Sequence, residues 1–184
     1  MSVAFDATFL IPLLFPEAAA PIDPATKKRV EFVQERLDYL VVTLEGTQTK
    51  IIIPTPALSE LLVHQGDAGL VYLEKFTRTS PFKIESFDER AALEVALAIQ
   101  RNIYQTGKKR GKSNATWAKV KFDNQIVAIA KVNGCTTIYS DDKDVGALAA
   151  RARIRVTRLW ELDLPPQNPQ INLPLEVPKK PTEE

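Results

Sequence analysis

With 184 residues, 45% hydrophobic and 26% charged, the chain suits one domain with a sizeable core and excludes the disordered and fibrous classes. A formal net charge of +1 gives no overall pull toward nucleic acid or a membrane surface, so any such attraction must come from local patches. The single cysteine, Cys135, excludes an intramolecular disulfide framework and fits a reducing cytoplasm, and no stretch is apolar for long enough to span a bilayer.

The start, MSVAFDATFLIPLLFPE, lacks the positive leading region and small-residue cleavage site of a signal peptide, and Asp6 and Pro12 interrupt its apolar run. A cytoplasmic location is therefore expected. SVAF reads as a short buried strand ending at Asp6, and ATFLIPLL as a short helix or turn. The segment from Asp23 to Gly46 opens with an Asp-Pro cap signal. It carries Val30, Val33, Leu37, Leu40 and Val41 at helical spacing, which predicts an amphipathic helix.

KIIIP is β-branched and reads as a strand, and PALSELLVH as the helix that Pro56 opens. A further helix is expected over Ala68 to Thr77. FKIESF then predicts a strand, and DERAALEVALAIQRNIY a helix capped by Asp88. QTGKKRGKSNAT is a basic, glycine-bearing loop that leads into WAKVKFDNQIVAIAKVNG, a helix stopped by Gly134. CTTIYS is the next strand, KDVGALAARAR a helix and IRVTRL a last strand. Residues 163–184 are proline-rich and predict an extended or disordered tail behind a domain spanning 1–162.

Strands alternating with helices predict an α/β fold, a three-layer α/β/α sandwich around a mainly parallel central sheet. Ligands of such sheets bind beyond the carboxyl ends of the strands, near a switch in strand order. Asp6 ends the first strand and Asp142 follows the fourth, so both emerge at that rim. Glu60 on the helix after the second strand and Asp123 at or near the start of the helix before the fourth are expected to face it too. Each has a plainer reading as well: Asp6, Asp123 and Asp142 as helix caps and Glu60 as a solvated helix residue.

Converging carboxylates repel one another and raise one another's pKa, so such a cluster calls for a cation. Oxygen donors without cysteine or histidine suit Mg²⁺ or Mn²⁺, and a metal held in this way serves displacement at phosphorus. From Arg101 to Lys121 the cations Lys108, Lys109, Arg110, Lys112 and Lys119 occur with no acid among them. They are candidate contacts for the phosphates of a nucleic acid, or else a solvated loop. Trp117, Tyr104 and Tyr139 are lesser candidates for base stacking, and His64 and Cys135 form no recognisable nucleophile pair.

With these residues in place, the chain resembles the PIN domain family. Asp6 in VAFDATFLI, Glu60 in TPALSELL, Asp123 in KFDNQIVAIA and Asp142 in IYSDDKDV match its four acids, over about Val3 to Leu159. Within the family the chain is most similar to VapC-type toxins. The resemblance implies Mg²⁺ or Mn²⁺ binding and RNA cleavage, with the four acids as catalytic metal ligands and Asp144 as a secondary acid. Ser140, two positions before the fourth acid, matches a small hydroxyl residue of the pattern and points to Asp142 rather than Asp141. Toxin-like members are restrained by an antitoxin and often dimerise, so an antitoxin protein and a second copy are candidate partners.

This chain departs from a minimal toxin in its length, its basic loop and its tail, which leaves open a PIN nuclease without an antitoxin or a scaffold that binds without cutting. A haloacid dehalogenase-type phosphatase needs a second acid two residues after Asp6, where Thr8 stands. A receiver domain needs an aspartate at the end of the third strand, and FKIESF supplies none suitable.

Overall fold

The computed structural model describes residues 1–65, 81–107 and 116–166. Five strands form one sheet: β1 (Ser2–Phe5), β2 (Lys50–Pro54), β3 (Phe82–Glu85), β4 (Cys135–Tyr139) and β5 (Arg155–Thr157). Their order is β3-β2-β1-β4-β5, and every pairing is parallel. The described helices are α1 (Ala7–Leu14), α2 (Val33–Gly46), α3 (Thr55–Gln65), α4 (Glu89–Thr106), α5 (Trp117–Val132) and α6 (Lys143–Arg151).

Strand alternation sorts the core into two sides. Val3, Phe5, Ile51 and Ile53 pack with apolar residues of α1, α2 and α3, whereas Ala4, Ile52 and Ile138 pack with those of α4, α5 and α6. The result is the expected three-layer α/β/α sandwich. Near-continuous apolar strands such as KIIIP are what a parallel sheet covered on both faces requires. β1 lies between β2 and β4, so the chain winds outward through β2 and β3 and then returns to place β4 on the other side. The switch in strand order thus falls between the ends of β1 and β4.

Two elements differ from their sequence-based expectation. The helix expected from Asp23 begins ten residues later, at Val33. The Asp23 carboxylate accepts from Ala25 N at 2.8 Å and from Thr26 Oγ1 at 3.0 Å, closing a local turn in place of a helix start. Phe32, in the left-handed region at φ 56°, then redirects the chain into α2. Val30 is buried as its spacing implied, although it lies outside the helix.

Helix α5 starts at Trp117, where the Thr116 hydroxyl accepts from Lys119 N at 3.3 Å, so Asp123 falls in the second turn and caps nothing. Asp88 and Gly134 act as expected: Asp88 accepts from Ala91 N, and Gly134 takes φ 66° beyond the end of α5. The helix expected over Ala68 to Thr77 and the tail from residue 167 onward lie outside the described residues. No described helix is long and apolar enough to cross a membrane.

Candidate metal centre

Asp6 is only 3% exposed. It stands at the N-cap position of α1, yet its side chain makes no cap hydrogen bond. The carboxylate turns toward β4, where Oδ2 accepts from Ser140 Oγ at 2.7 Å and from Thr8 Oγ1 at 3.1 Å. Both hydroxyls also accept: Ser140 Oγ from Asp142 N at 3.1 Å, and Thr8 Oγ1 from Asp141 N at 3.0 Å. Two hydroxyl relays therefore tie the end of β1 to the turn after β4. In the sequence Thr8 stands out only as the residue in place of a second acid; its part in the relay depends on Asp141, 133 residues away.

That turn assigns different tasks to its aspartates. Asp142 splits its carboxylate: Oδ1 caps α6 by accepting from Asp144 N at 2.7 Å and Val145 N at 3.3 Å, while Oδ2 accepts from Lys119 Nζ at 2.6 Å. The cap reading and the site reading of Asp142 are thus both realised, one on each oxygen. Asp141 Oδ1 instead accepts from Leu159 N at 2.8 Å, fastening the turn to the segment after β5. Arg158 fastens it further, donating through one guanidinium nitrogen to Ser140 O at 2.5 Å and to Asp142 O at 2.9 Å. Gly146 makes room for that guanidinium, since a Cβ there would lie 2.2 Å from the second terminal nitrogen of Arg158.

From α5, Asp123 enters the same rim at 4% exposure. Oxygens of Asp123, Asp142 and Asp144 all lie within 4.8 Å of one another. Lys119, one turn before Asp123, places its ammonium among them, 3.2 Å from Asp123 Oδ2, 2.6 Å from Asp142 Oδ2 and 3.9 Å from Asp144 Oδ2. Of the expected four acids, Asp123 and Asp142 are brought together directly. Asp6 lies behind them through Ser140, and Glu60 stands on the exposed side of α3, outside the tight group. Glu60 is nevertheless close enough to feel the charges of Asp6, Asp123 and Asp142.

The charge states follow from burial set against partners. Burial raises the Asp6 carboxyl above the ordinary carboxylate range, against the lowering effect of Ser140 and Thr8. Loss of water also raises Glu60, followed by the negative charges of Asp6 and Asp123. Asp123 is pushed up by burial to about 6 despite Lys119, and Asp141 likewise to about 6. For Asp142, burial acts upward, but the hydrogen bonds from Lys119 and from the Asp144 and Val145 amides outweigh it and leave the carboxyl below its ordinary value. Burial opposes the charge on Lys119, and its bonds to Asp142 and Asp123 more than restore it, raising its pKa.

The donor set is all oxygen, partly buried and acid-rich beyond what one lysine balances, which fits a hard divalent ion such as Mg²⁺ or Mn²⁺. Cys135 is buried, with its thiol pushed up by burial to about 12, so it is no nucleophile. His64 lies against Phe15, at 6.5 Å between ring centroids. Tyr139 packs on Phe5 and Phe9, with centroids at 5.1 and 5.5 Å, and belongs to the core rather than to a stacking surface. Tyr104 is exposed and Trp117 half-buried. Lys121 is exposed, whereas Lys108, Lys109, Arg110 and Lys112 lie outside the described residues.

No protein-family model matches the sequence, and no curated protein matches it at a significant level. Solved structures do. A chain of VapBC2 from Rickettsia felis, bound to a DNA fragment from its promoter, superposes with a TM-score of 0.54 at 13% identity, covering 86% of this chain and 98% of that one. A chain of DNA-bound VapBC from Salmonella typhimurium superposes with a TM-score of 0.52 at 14% identity, again over 86% of this chain and 98% of that one. At such identities the likeness concerns the fold, and it shows that the α/β sandwich described above is PIN-like.

Proposed function

We propose that this chain is a Mg²⁺- or Mn²⁺-dependent endoribonuclease that hydrolyses RNA phosphodiesters, acting as a VapC-like toxin of a toxin-antitoxin pair. The observation that carries the reading is the convergence of Asp123, Asp142 and Asp144 oxygens within 4.8 Å at the switch point of a PIN-like sheet. Asp6, Glu60, Asp123 and Asp142 are the residues to hold the ion, with Asp144 in support. When bound, such an ion supplies Lewis-acid polarisation of a phosphoryl oxygen and water of lowered pKa.

The chain's own groups supply the rest of the mechanism. Ser140 and Thr8 hold the buried Asp6 carboxylate in one orientation, which keeps a donor oriented without rearrangement on binding. Arg158 and the Leu159 amide fix the turn that carries Asp142. Glu60, the most exposed of the four acids, would reach the ion from α3, where its carboxyl already feels the charges of Asp6, Asp123 and Asp142. Lys121, with the basic residues that precede α5 in the sequence, would contact phosphates and position RNA without choosing its sequence.

Purified protein is expected to cut single-stranded RNA only when Mg²⁺ or Mn²⁺ is added. Asp123→Asn is expected to slow cleavage by roughly 100-fold or more, the scale of a lost catalytic group. Equal rates for Asp123→Asn and the parent would overturn the reading. The two VapBC neighbours support an antitoxin partner, and recovery of the native complex with a small co-purifying protein tests it. A nuclease acting without an antitoxin is the second reading. The part of this chain that the neighbours leave unmatched leaves room for it, since 98% of each neighbour is covered by 86% of this chain. A metal titration with no binding would instead favour a non-catalytic scaffold. In either nuclease reading residues 1–162 form the catalytic unit, with 163–184 as an appendage, and a homodimer is a further candidate assembly.

A further inference from the structure

Lys119 is the one basic side chain among the described residues whose ammonium lies within 4 Å of three site aspartates, Asp123, Asp142 and Asp144. Its backbone is fixed by the Thr116 cap at the first turn of α5. From there the side chain reaches Asp123 one turn on and crosses to Asp142 at the end of β4. The ammonium thus sits among the oxygens that lie within 4.8 Å of one another. A divalent ion held by the same oxygens needs that same volume, and an ammonium and a divalent ion cannot share it, because the two cations would repel across a few ångströms.

Lys119 is also free to leave. Its side chain is 40% exposed, and its stem is flexible. Among the described residues its ammonium bonds only to the site carboxylates themselves, so no other group anchors it there.

We propose that Lys119 is a built-in counter-cation: it occupies the divalent ion's place in the metal-free protein, and metal loading requires its withdrawal toward solvent. The proposal rests on the metal-dependent reading above and adds a regulation of that site. In the metal-free state Lys119 offsets repulsion among Asp123, Asp142 and Asp144 and keeps the turn after β4 joined to α5. The same contact makes the site selective against weakly bound cations, since an incoming ion must outcompete an ammonium already seated.

The test uses Mn²⁺ alone, without RNA, titrated into the parent, Lys119→Gln and Lys119→Arg by calorimetry. Lys119→Gln is expected to bind Mn²⁺ about tenfold more tightly, the scale of one lost charged hydrogen bond, and to melt at a lower temperature than the parent before metal is added. Lys119→Arg keeps the charge and is expected to bind no more tightly than the parent. In the parent, the ¹⁵N signal of the Lys119 ammonium is expected to shift to a solvent-like position on adding Mg²⁺. Equal or weaker Mn²⁺ binding by Lys119→Gln, or a Lys119 signal unmoved while Mg²⁺ binds, overturns the proposal and leaves the nuclease reading standing. Absence of Mn²⁺ binding in all three proteins overturns both. Should Lys119→Gln fail to fold, the ammonium signal of the parent decides the matter alone.

Discussion

Asp141 and Asp142 are neighbours with opposite electrostatic fates, and the difference comes from what each meets. Asp142 meets two amides and an ammonium, which hold it ionised. Asp141 is half-buried and accepts one hydrogen bond, from the Leu159 amide, and its carboxyl rises to about 6. Asp142→Asn is therefore expected to lose at least tenfold in Mn²⁺ affinity and to abolish cleavage. Asp141→Asn, which keeps an acceptor for Leu159 N, is expected to retain both within about twofold, measured by calorimetry and an RNA cleavage assay.

The raised carboxyls also set a pH dependence. Asp123 and Asp141 at about 6, together with the raised Asp6 and Glu60, keep protons in the folded metal-free protein that the unfolded chain releases near pH 4. Between those values the folded state binds more protons than the unfolded, so stability falls as pH rises through about 6. Asp142, with a lowered pKa, acts in the opposite sense, but only in the more acid range below its ordinary value. The metal-free protein is thus expected to melt higher at about pH 5 than at pH 7.5, and Asp123→Asn should reduce that difference without removing it, since Asp141, Asp6 and Glu60 remain. Thermal melts across pH check both.

Among the elements, the turn from β4 into α6 carries the most consequence. Its shape depends on a residue that follows β5: Arg158 bonds two of its carbonyls, and Gly146 on α6 gives that guanidinium its space. Gly146→Ala would ordinarily strengthen a helix by up to about 1 kcal/mol. Here the new methyl displaces Arg158, so the substitution is expected to destabilise the fold by about 1–2 kcal/mol and to weaken Mn²⁺ binding, measured by denaturant unfolding and calorimetry.

Much of this level was readable beforehand. KIIIP, the Asp88 cap and the Gly134 stop are local signals, and each strand and helix that they mark is present. The start of α2 was not, because Asp-Pro serves a turn as well as a helix, and Phe32 at positive φ has no local sequence signal. Thr116 and Asp123 both suit a helix start, and only the folded chain shows that Thr116 takes the role.

For the molecule as a whole, the parallel sheet with β1 at its centre makes one rim the natural place for chemistry, and the acids gather there from β1, α3, α5 and the turn after β4. Their candidacy was legible because carboxylates at strand ends and on apolar helices stand out in a linear reading. Thr8, Arg158 and the central seat of Lys119 were not. Each depends on a partner brought close only by folding, Asp141 for Thr8, Ser140 for Arg158 and Asp142 for Lys119.

The cation site is the claim on which everything else rests, and a crystal grown with Mn²⁺ tests it most directly through the metal's anomalous scattering. The account predicts a peak beside the oxygens of Asp123 and Asp142, in the place that the Lys119 ammonium takes in the metal-free protein, with that ammonium withdrawn. A well-ordered crystal with no peak there at saturating Mn²⁺, or with Lys119 still seated between Asp123 and Asp142, would contradict it.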